Sequence, residues 1–486
     1  MSLILALLPV VASSALIVVW RFTALTAALA GVAVALLVVM VWPEFSVTAQ
    51  QWQPVVAGTA SFTFNIALVL LGGVMLYQVL RAGEGLTRIA DWIKSCVTSD
   101  MHLLLVVIFG VGVFFESATG FGVGILVTAP LLLAIGFAPM KAAFLALLSQ
   151  CSVTWGALAI GTVVGAELSG VSAQLLGLYA VPLSVPFLLL CGVTATVAGG
   201  LWQTHAKLPL LLWVGIYVTV LSGLQALCTY LFGIELAGCL AGAGVVWFGY
   251  LMSRYTSQHQ DASSRLPVPV RSVAPFVVLV AGLMISRLIP PVQQWLLSLR
   301  VADVAWLYHA GFWLLLAALC GVLLLPLCRQ QPASWLKAGL LQWSKAVVAV
   351  GGFLLLGQLM KYSGMTAVLA GSASSASGPY YTLFAPALGA LGGFLTASNA
   401  SSNALFMEFQ VRAATTLNMP VELVAGVQSA AGSNATMASP GRVVFAAAIV
   451  GSDGAESVLL RRMLPLVIGG TLGSAAAMLV LWQVAS

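Results

Sequence analysis

Charged side chains are scarce in this sequence. Only 7% of its 486 residues are Asp, Glu, Lys or Arg, whereas 61% are hydrophobic. Soluble domains carry about 25% charged residues, so this composition excludes a water-soluble globular protein. Apolar runs of about 20 residues recur along the chain, which is the pattern of membrane-spanning α-helices rather than of a β-barrel. We therefore predict an all-α polytopic membrane protein.

Other functional signatures are absent as well. The seven cysteines form no C-x-x-C pair and the four histidines lie far apart, so we predict no metal site and no cofactor. The sequence has no P-loop motif for ATP hydrolysis and no G-x-S-x-G motif, and it does not suggest an enzyme. The net charge of +6 comes from basic residues scattered singly in short loops, as membrane topology requires, and predicts no nucleic-acid partner.

Twelve apolar segments have the length of single membrane crossings. They are residues 2–20, 23–42, 55–80, 142–164, 174–200, 208–232, 234–251, 272–298, 305–327, 339–360, 420–450 and 463–484. Two further stretches, 103–137 and 380–415, are too long for one helix, and small polar residues interrupt both. We predict that each of these two is a re-entrant hairpin or a broken helix.

The basic residues support this scheme. With the N-terminus outside and both hairpins returning to their side of origin, most of the 19 Lys and Arg residues fall in inner loops. Only Arg300 and Lys361 fall in outer loops. The polar segment 253–271 is then an inner loop that divides an N-terminal half, 1–252, from a C-terminal half, 272–486.

The two halves resemble each other weakly. "LLGGVMLYQVLRAGEGLT" (70–87) parallels "AVGGFLLLGQLMKYSGMT" (349–366). An offset of 281 residues, that between Gly83 and Gly364, then superposes the two interrupted stretches. Because the topology gives the halves opposite orientations, we predict an inverted repeat, which is typical of secondary transporters.

The first interrupted stretch contains one ionisable residue, Glu116, followed by the weak helix formers Ser117, Thr119 and Gly120. An ionisable side chain at membrane depth is a candidate for function, because proton relays in transporters use such carboxylates. We predict that Glu116 carries a coupling proton and that its small neighbours contribute to substrate binding. The alternative is a carboxylate that only caps the half-helix that follows.

The second interrupted stretch concentrates hydroxyl and amide groups. A half-helix that starts there would also direct the positive end of its dipole at the site, which suits a small anion. The alternative is helix–helix packing by small polar residues. The predicted substrate-binding residues here are Ser398, Asn399, Ser401, Ser402 and Asn403.

A third polar segment, "QSAAGSNATMASPGR" (428–442), contributes Ser433, Asn434 and Arg442 to the predicted site. Pro440 should interrupt the helix just before Arg442. A buried arginine needs a partner. Arg442 is therefore predicted either to bind a substrate carboxylate or to pair with Glu116, unless it snorkels to the membrane surface.

Six motifs lie in order along the chain: "FFESATGFG" (114–122), "APMKAAFLALL" (138–148), "WGALAIG" (155–161), "KYSGMTAVLA" (361–370), "FLTASNASSNALF" (394–406) and "QSAAGSNATMASP" (428–440). In these motifs the sequence resembles the L-lactate permease family. The resemblance implies a multi-pass symporter of the cell inner (plasma) membrane that carries a 2-hydroxymonocarboxylate such as lactate with a proton.

The sequence also departs from the family pattern. The family usually has an aspartate and a threonine where this chain has Asn399 and Ala400. If that aspartate takes part in coupling elsewhere in the family, coupling here rests on Glu116. The leading hypothesis is proton-coupled symport of a small carboxylate, and the alternatives are a passive organic-anion channel and a sodium-coupled carboxylate transporter. The sequence leaves a homo-oligomer open.

Overall fold

The computed structural model describes residues 1–20, 22–120, 122–256, 266–300, 305–452 and 454–485, and within them it contains helices and turns but no β-strand. The α-helices in chain order are α1 Ser2–Val18, α2 Ala24–Val41, α3 Ala49–Ala82, α4 Gly85–Cys96, α5 Asp100–Val106, α6 Gly112–Thr119, α7 Val123–Ile135, α8 Pro139–Leu148, α9 Gly156–Ser169, α10 Ala173–Ala198, α11 Leu201–Thr204, α12 Lys207–Phe232, α13 Ile234–Thr256, α14 Val270–Leu288, α15 Pro290–Ser298, α16 Ala310–Leu324, α17 Pro332–Tyr362, α18 Met365–Ser377, α19 Tyr381–Thr396, α20 Asn399–Thr416, α21 Val421–Ala435, α22 Pro440–Ile449 and α23 Glu456–Ala485. A π-helical turn, Val107–Val111, joins α5 to α6.

The all-α membrane class is confirmed. Among the described residues nine helices are long and apolar enough to span a membrane, or ten when the bent pair α8–α9 is taken as one span. Five shorter apolar helices, including α1 and α7, accompany them. The predicted number of about 12 crossings is not confirmed, since several predicted crossings are short or broken.

Three predicted crossings are interrupted. The segment 272–298 is not one helix, because α14 ends at Leu288 and Pro290 starts α15 after an extended Ile289. Proline lacks a backbone donor and disfavours helical geometry in the residue before it. The segment 142–164 bends by 64° between α8 and the following helix. The segment 420–450 breaks between α21 and α22, where Ser439 is non-helical.

The predicted inner loop 253–271 is only partly described. Its first residues extend α13 to Thr256, and its last two belong to α14. Residues 257–265 lie outside the described residues. The division of the chain into halves at this loop stays a prediction.

Both interrupted stretches fold back on themselves. The first break lies between Thr119 and Val123, and Gly120 there adopts φ 69° and ψ −161°, a conformation that only glycine adopts easily. Helix α7 packs against α6 so closely that a Cβ added to Gly124 would lie 2.8 Å from the carbonyl oxygen of Gly112. The chain therefore reverses direction at the first break.

The second break, between Thr396 and Asn399, turns at Ala397 with φ 58°. Across it, the Ser402 hydroxyl of α20 donates to the Gly389 carbonyl of α19 at 3.3 Å. The first hairpin runs from α5 to α7 and the second from α19 to α20. Whether each returns to the same side of the membrane stays a prediction.

Two parts of the chain have the same order of elements. Helices α3 to α10 and helices α17 to α23 each run as a long helix, a short helix, a hairpin, a broken helix and a long helix. The first members pack together, α3 on α17, and so do the last, α10 on α23. This order is what a repeat requires, while the inverted orientation stays a prediction.

The first hairpin lies inside the protein. The span Asp100–Thr119 is 89% buried, compared with 28% for the span within Ala49–Ala82. Unsatisfied backbone groups cost several kcal/mol in lipid, so a helix can break at membrane depth only where protein or water faces the break. The first break thus lies where protein, and not lipid, surrounds its polar groups.

Candidate functional site

A cavity of about 560 Å³ lies between the two breaks. Its wall combines the tip of α6, the start of α9, the middle of α17, the start of α20 and the start of α22. The residues that line it include Glu116, Gly120, Gly156, Ala157, Ile160, Gln342, Lys345, Ser398, Asn399, Ser401 and Arg442. We call it the first cavity.

A buried ion pair forms one side of the first cavity. Arg442 Nη2 donates to Glu116 Oε1 at 3.0 Å, and Arg442 Nη1 donates to Gln150 Oε1 at 2.7 Å. The second carboxylate oxygen, Oε2, accepts a hydrogen bond from the Gly122 backbone N–H at 3.0 Å. Glu116 is 2% exposed and Arg442 is 8% exposed. Such a pair is tolerated in the interior because both charges are hydrogen-bonded.

The backbone around Glu116 and Arg442 directs the two side chains towards each other. Glu116 sits one turn before the first break, and its Oε2 accepts the N–H of Gly122, the residue just before α7. Pro440 begins α22, and the Ser439 hydroxyl accepts the Arg442 N–H at 3.4 Å. A capped helix with proline in its first turn fixes the direction of its first side chains.

The start of α20 forms the opposite side. Ser398 is the N-cap, and its hydroxyl accepts the Ser401 N–H at 3.2 Å. The first backbone N–H groups of a helix have no intrahelical partner and carry the positive end of the dipole. Asn399 Oδ1 is also buried without a hydrogen-bond partner among the described residues. This side therefore offers donors and one free acceptor.

The amide nitrogens of two neighbouring asparagines hold the hairpin in place. The Nδ2 groups of Asn399 and Asn403 each lie 3.2 Å from the Ser429 hydroxyl oxygen of α21. Asn403 Nδ2 also donates to the Gly161 carbonyl of α9 at 2.9 Å. A Cβ at Gly161 would lie 2.7 Å from Asn399 Nδ2, so the close approach of α9 to α20 requires glycine there.

The sequence-predicted site residues divide into two groups. Glu116, Gly120, Ser398, Asn399, Ser401 and Arg442 line the first cavity. Six others are buried between helices and are not among its lining residues: Ser117, Thr119, Ser402, Asn403, Ser433 and Asn434. The division is geometric, because successive residues of a helix point 100° apart and only one face of each helix meets the cavity.

Sequence reasoning did not assign several polar residues of this region to the site, among them Gln150, Gln342 and Lys345. Gln150 accepts from Arg442, and Lys345 lines the cavity from the middle of α17. The signal for Lys345 was available, since it is the one charged residue between 338 and 360.

A second cavity of about 620 Å³ lies next to the first, and Ile160 lines both. It contains Glu167, His309 and the ion pair between Arg287 and Glu235, with a closest N–O distance of 2.8 Å. Between the cavities, α9 begins with the left-handed residues Ala157, Leu158 and Ala159, which have φ of 40°, 50° and 60°. Left-handed geometry costs about 1–2 kcal/mol per non-glycine residue.

A polytopic helical protein whose broken helices enclose a cavity with a buried ion pair in its wall is of the membrane transport class. The comparison with known families agrees with that class. The family model described as L-lactate permease matches residues 2–299 and 296–481. The chain therefore belongs to the L-lactate permease family and is a multi-pass membrane protein, not an enzyme.

Individual relatives cover most of the chain. An L-lactate permease of Streptococcus iniae is 26% identical over 86% of this chain and 91% of its own length. An L-lactate permease of Escherichia coli K12 is 28% identical, covering 88% and 86% respectively. Glycolate permease GlcA of Escherichia coli K12 is 25% identical, covering 82% and 80%. Among solved structures, the YdaH transporter of Alcanivorax borkumensis is similar with a TM-score of 0.49, at 15% identity over 88% of this chain and 87% of that one.

Proposed function

We propose that this chain is a secondary active transporter that carries lactate, or a similar small 2-hydroxymonocarboxylate, together with a proton. Membership of the family and the names of its relatives support the substrate class. The observation that carries the proposal is the buried pair of Glu116 and Arg442 on the wall of a cavity that also meets the start of α20.

The ion pair suggests how a proton and an anion are coupled. While Glu116 is ionised, its Oε1 occupies the Nη2 donor of the Arg442 guanidinium. A proton on Glu116 removes that negative charge and releases Arg442 for the substrate carboxylate. The proton and the anion then favour each other's binding. Each of them reduces the uncompensated buried charge that the other would leave if it bound alone.

The two cavities support alternating access. The first is lined by Thr23 and Ala24, at the end of α2 that the predicted topology places inside. The second is lined by Glu167 and His309, which the same topology places outside. The wall between them includes Ile160, which lines both cavities, and the left-handed start of α9, where Ala157 lines the first cavity and Leu158 the second. We propose that movement of this wall opens the substrate site to one cavity and closes it to the other.

The test is uptake of labelled lactate by vesicles that contain the purified protein. An imposed pH gradient, acidic outside, should drive accumulation, and a protonophore should abolish it. Glu116→Gln should lose gradient-driven accumulation but keep counterflow exchange, because glutamine imitates the protonated carboxyl. Glu408→Gln is the matched control, since Glu408 pairs with Lys361 and Arg412 away from the first cavity.

Two outcomes would contradict the proposal. Uptake that never exceeds equilibrium and never saturates would identify a passive channel. Accumulation that follows a sodium gradient and ignores the pH gradient would identify sodium coupling. If Glu116→Gln still accumulates lactate in response to the pH gradient, the coupling role of Glu116 is wrong even though transport stands.

A further inference from the structure

Lys345 occupies an unusual place for a lysine. It lies in the middle of α17, a helix of 31 residues, and not near its ends. A charged side chain at membrane depth is costly unless it faces protein or a water-filled space. The side chain of Lys345 is exposed and lines the first cavity. The first cavity therefore gives this charged side chain a surrounding other than lipid.

The orientation of this face of α17 is fixed by its neighbours. Gln342, one turn before Lys345, accepts a hydrogen bond from Gln78 of α3 at 3.1 Å and lines the same cavity. Trp343 donates its indole N–H to the Ala67 carbonyl of α3 at 2.8 Å. These contacts hold α17 against α3 with Lys345 turned to the cavity.

The charges of the cavity wall do not cancel. Its charged lining residues among those described are Glu116, Arg442 and Lys345. Glu116 and Arg442 neutralise each other at 3.0 Å. Lys345 forms no ion pair with any carboxylate in the described part of the chain. The excess positive charge of the cavity therefore resides on Lys345.

The same cavity wall carries a free acceptor. Asn399 is 3% exposed, and its buried Oδ1 has no hydrogen-bond partner among the described residues. Nδ2 of the same amide lies against the Ser429 hydroxyl. An unpaired buried acceptor costs free energy until a donor reaches it. A hydroxyl group next to a carboxylate is such a donor.

We propose that Lys345 binds the carboxylate of a small monocarboxylate in the first cavity, while Asn399 Oδ1 accepts a hydrogen bond from the 2-hydroxyl group. This assignment rests on the proposed function for its substrate class. It gives the anion a resident cation that is available before Glu116 is protonated. Arg442 then joins the carboxylate only when the proton has bound.

The experiment measures binding rather than transport. Purified protein in detergent is titrated with lactate, and the rise of its melting temperature gives the half-saturating concentration. Lys345→Met should raise that concentration about tenfold or more, because a charge-assisted hydrogen bond is lost. Lys345→Arg should keep most of the affinity. Lys337→Met is the matched control, since Lys337 is exposed eight residues earlier on the same helix and is absent from the cavity wall.

A second titration tests whether the 2-hydroxyl group of the substrate contributes to binding. Propionate, which lacks it, should bind wild type more weakly than lactate does. Asn399→Leu should remove this difference, so that both acids bind alike. If the Asn399→Leu variant still prefers lactate by the wild-type factor, the role of Asn399 is overturned.

The result for Lys345 is separable from the result for transport. If Lys345→Met binds lactate as wild type does, or if no small carboxylate stabilises wild type, the Lys345 assignment is wrong. If wild type binds lactate in a Lys345-dependent way but vesicles show no lactate movement, the assignment stands and the proposed transport function fails.

Discussion

The two helix breaks have similar shapes but opposite electrostatics. At the first break the carboxylate of Glu116 has both oxygens engaged, by Arg442 and by the Gly122 N–H. At the second break every side chain is neutral, and the buried amide oxygens of Asn399 and Asn403 have no partner in the described part of the chain. The charge at the first break is thus compensated within the protein, whereas the second break carries no charge and keeps unpaired acceptors.

This difference follows from the cost of burial. An unpaired buried charge costs far more than an unpaired amide, so a carboxylate at the first break requires a counterion for as long as it is ionised. The second break can leave an acceptor unsatisfied at a cost of about 1–3 kcal/mol. One break therefore suits a group that changes charge, and the other suits a site that is empty for part of a cycle.

Among substitutions at the two breaks, removal of Arg442 should lower the free energy of unfolding most. Arg442→Gln leaves the carboxylate of Glu116 buried without its cation, which should lower the free energy of unfolding by about 3–5 kcal/mol. The double variant Glu116→Gln with Arg442→Gln removes both charges and should recover most of that loss. Denaturant or thermal unfolding of the purified proteins measures both. If the single and double variants were equally stable, Glu116 would not need Arg442 to compensate its charge at the first break.

The turn at the first break should be nearly as sensitive. In Gly120→Ala the new Cβ would lie 2.6 Å from Ala157 Cβ, at a backbone geometry that alanine rarely adopts. We expect a loss of about 2–4 kcal/mol from strain and overlap together. Gly364→Ala is the control, because its φ is 84° but nothing lies within 4 Å of the added Cβ. Equal losses for both variants would mean that contact with α9 does not matter.

Sequence patterns predicted much of this arrangement. The lone carboxylate in 103–137 and the hydroxyl-rich segment at 398–403 located both breaks, because polar residues are conspicuous within apolar runs. Pairing of Glu116 with Arg442 was one of several alternatives. The two residues are 326 positions apart, so the choice depended on tertiary packing that no local pattern encodes.

Other features could not be inferred from local pattern. Asn403 and Ser402 look like Asn399 and Ser401 in sequence, yet the structure places the first two against neighbouring helices and the last two on the cavity wall. Lys345 was overlooked because α17 is apolar on several sides, so its sequence does not reveal which face meets a cavity. The number of crossings was overestimated because hydrophobicity continues across breaks such as the one before Pro440.

A third variant would make the two breaks alike. Asn399→Asp places a carboxylate at the second break. At alkaline pH this charge should repel a substrate anion and compete for Lys345, which raises the half-saturating lactate concentration about tenfold. Acidification should restore affinity, because protonation removes the new charge. Asn399→Ser, which loses the amide without adding charge, should show no such pH dependence, and equal pH profiles for both would contradict the argument.

The smallest expected changes in stability and affinity come from two serines near the second break. One serine lines the cavity and the other packs against neighbouring helices. Ser398→Ala removes the N-cap of α20, which should cost about 1 kcal/mol of stability and weaken lactate binding about threefold, because the first N–H groups of α20 lose their fixed direction. Ser402→Ala removes contacts to Gly389 and Gln428 within the protein and should lower stability by a similar amount. Lactate affinity should be unchanged in that variant. Titration of both proteins with lactate decides the point: equal weakening would mean that the whole hydroxyl cluster, and not the cavity-facing turn alone, distinguishes the second break from the first.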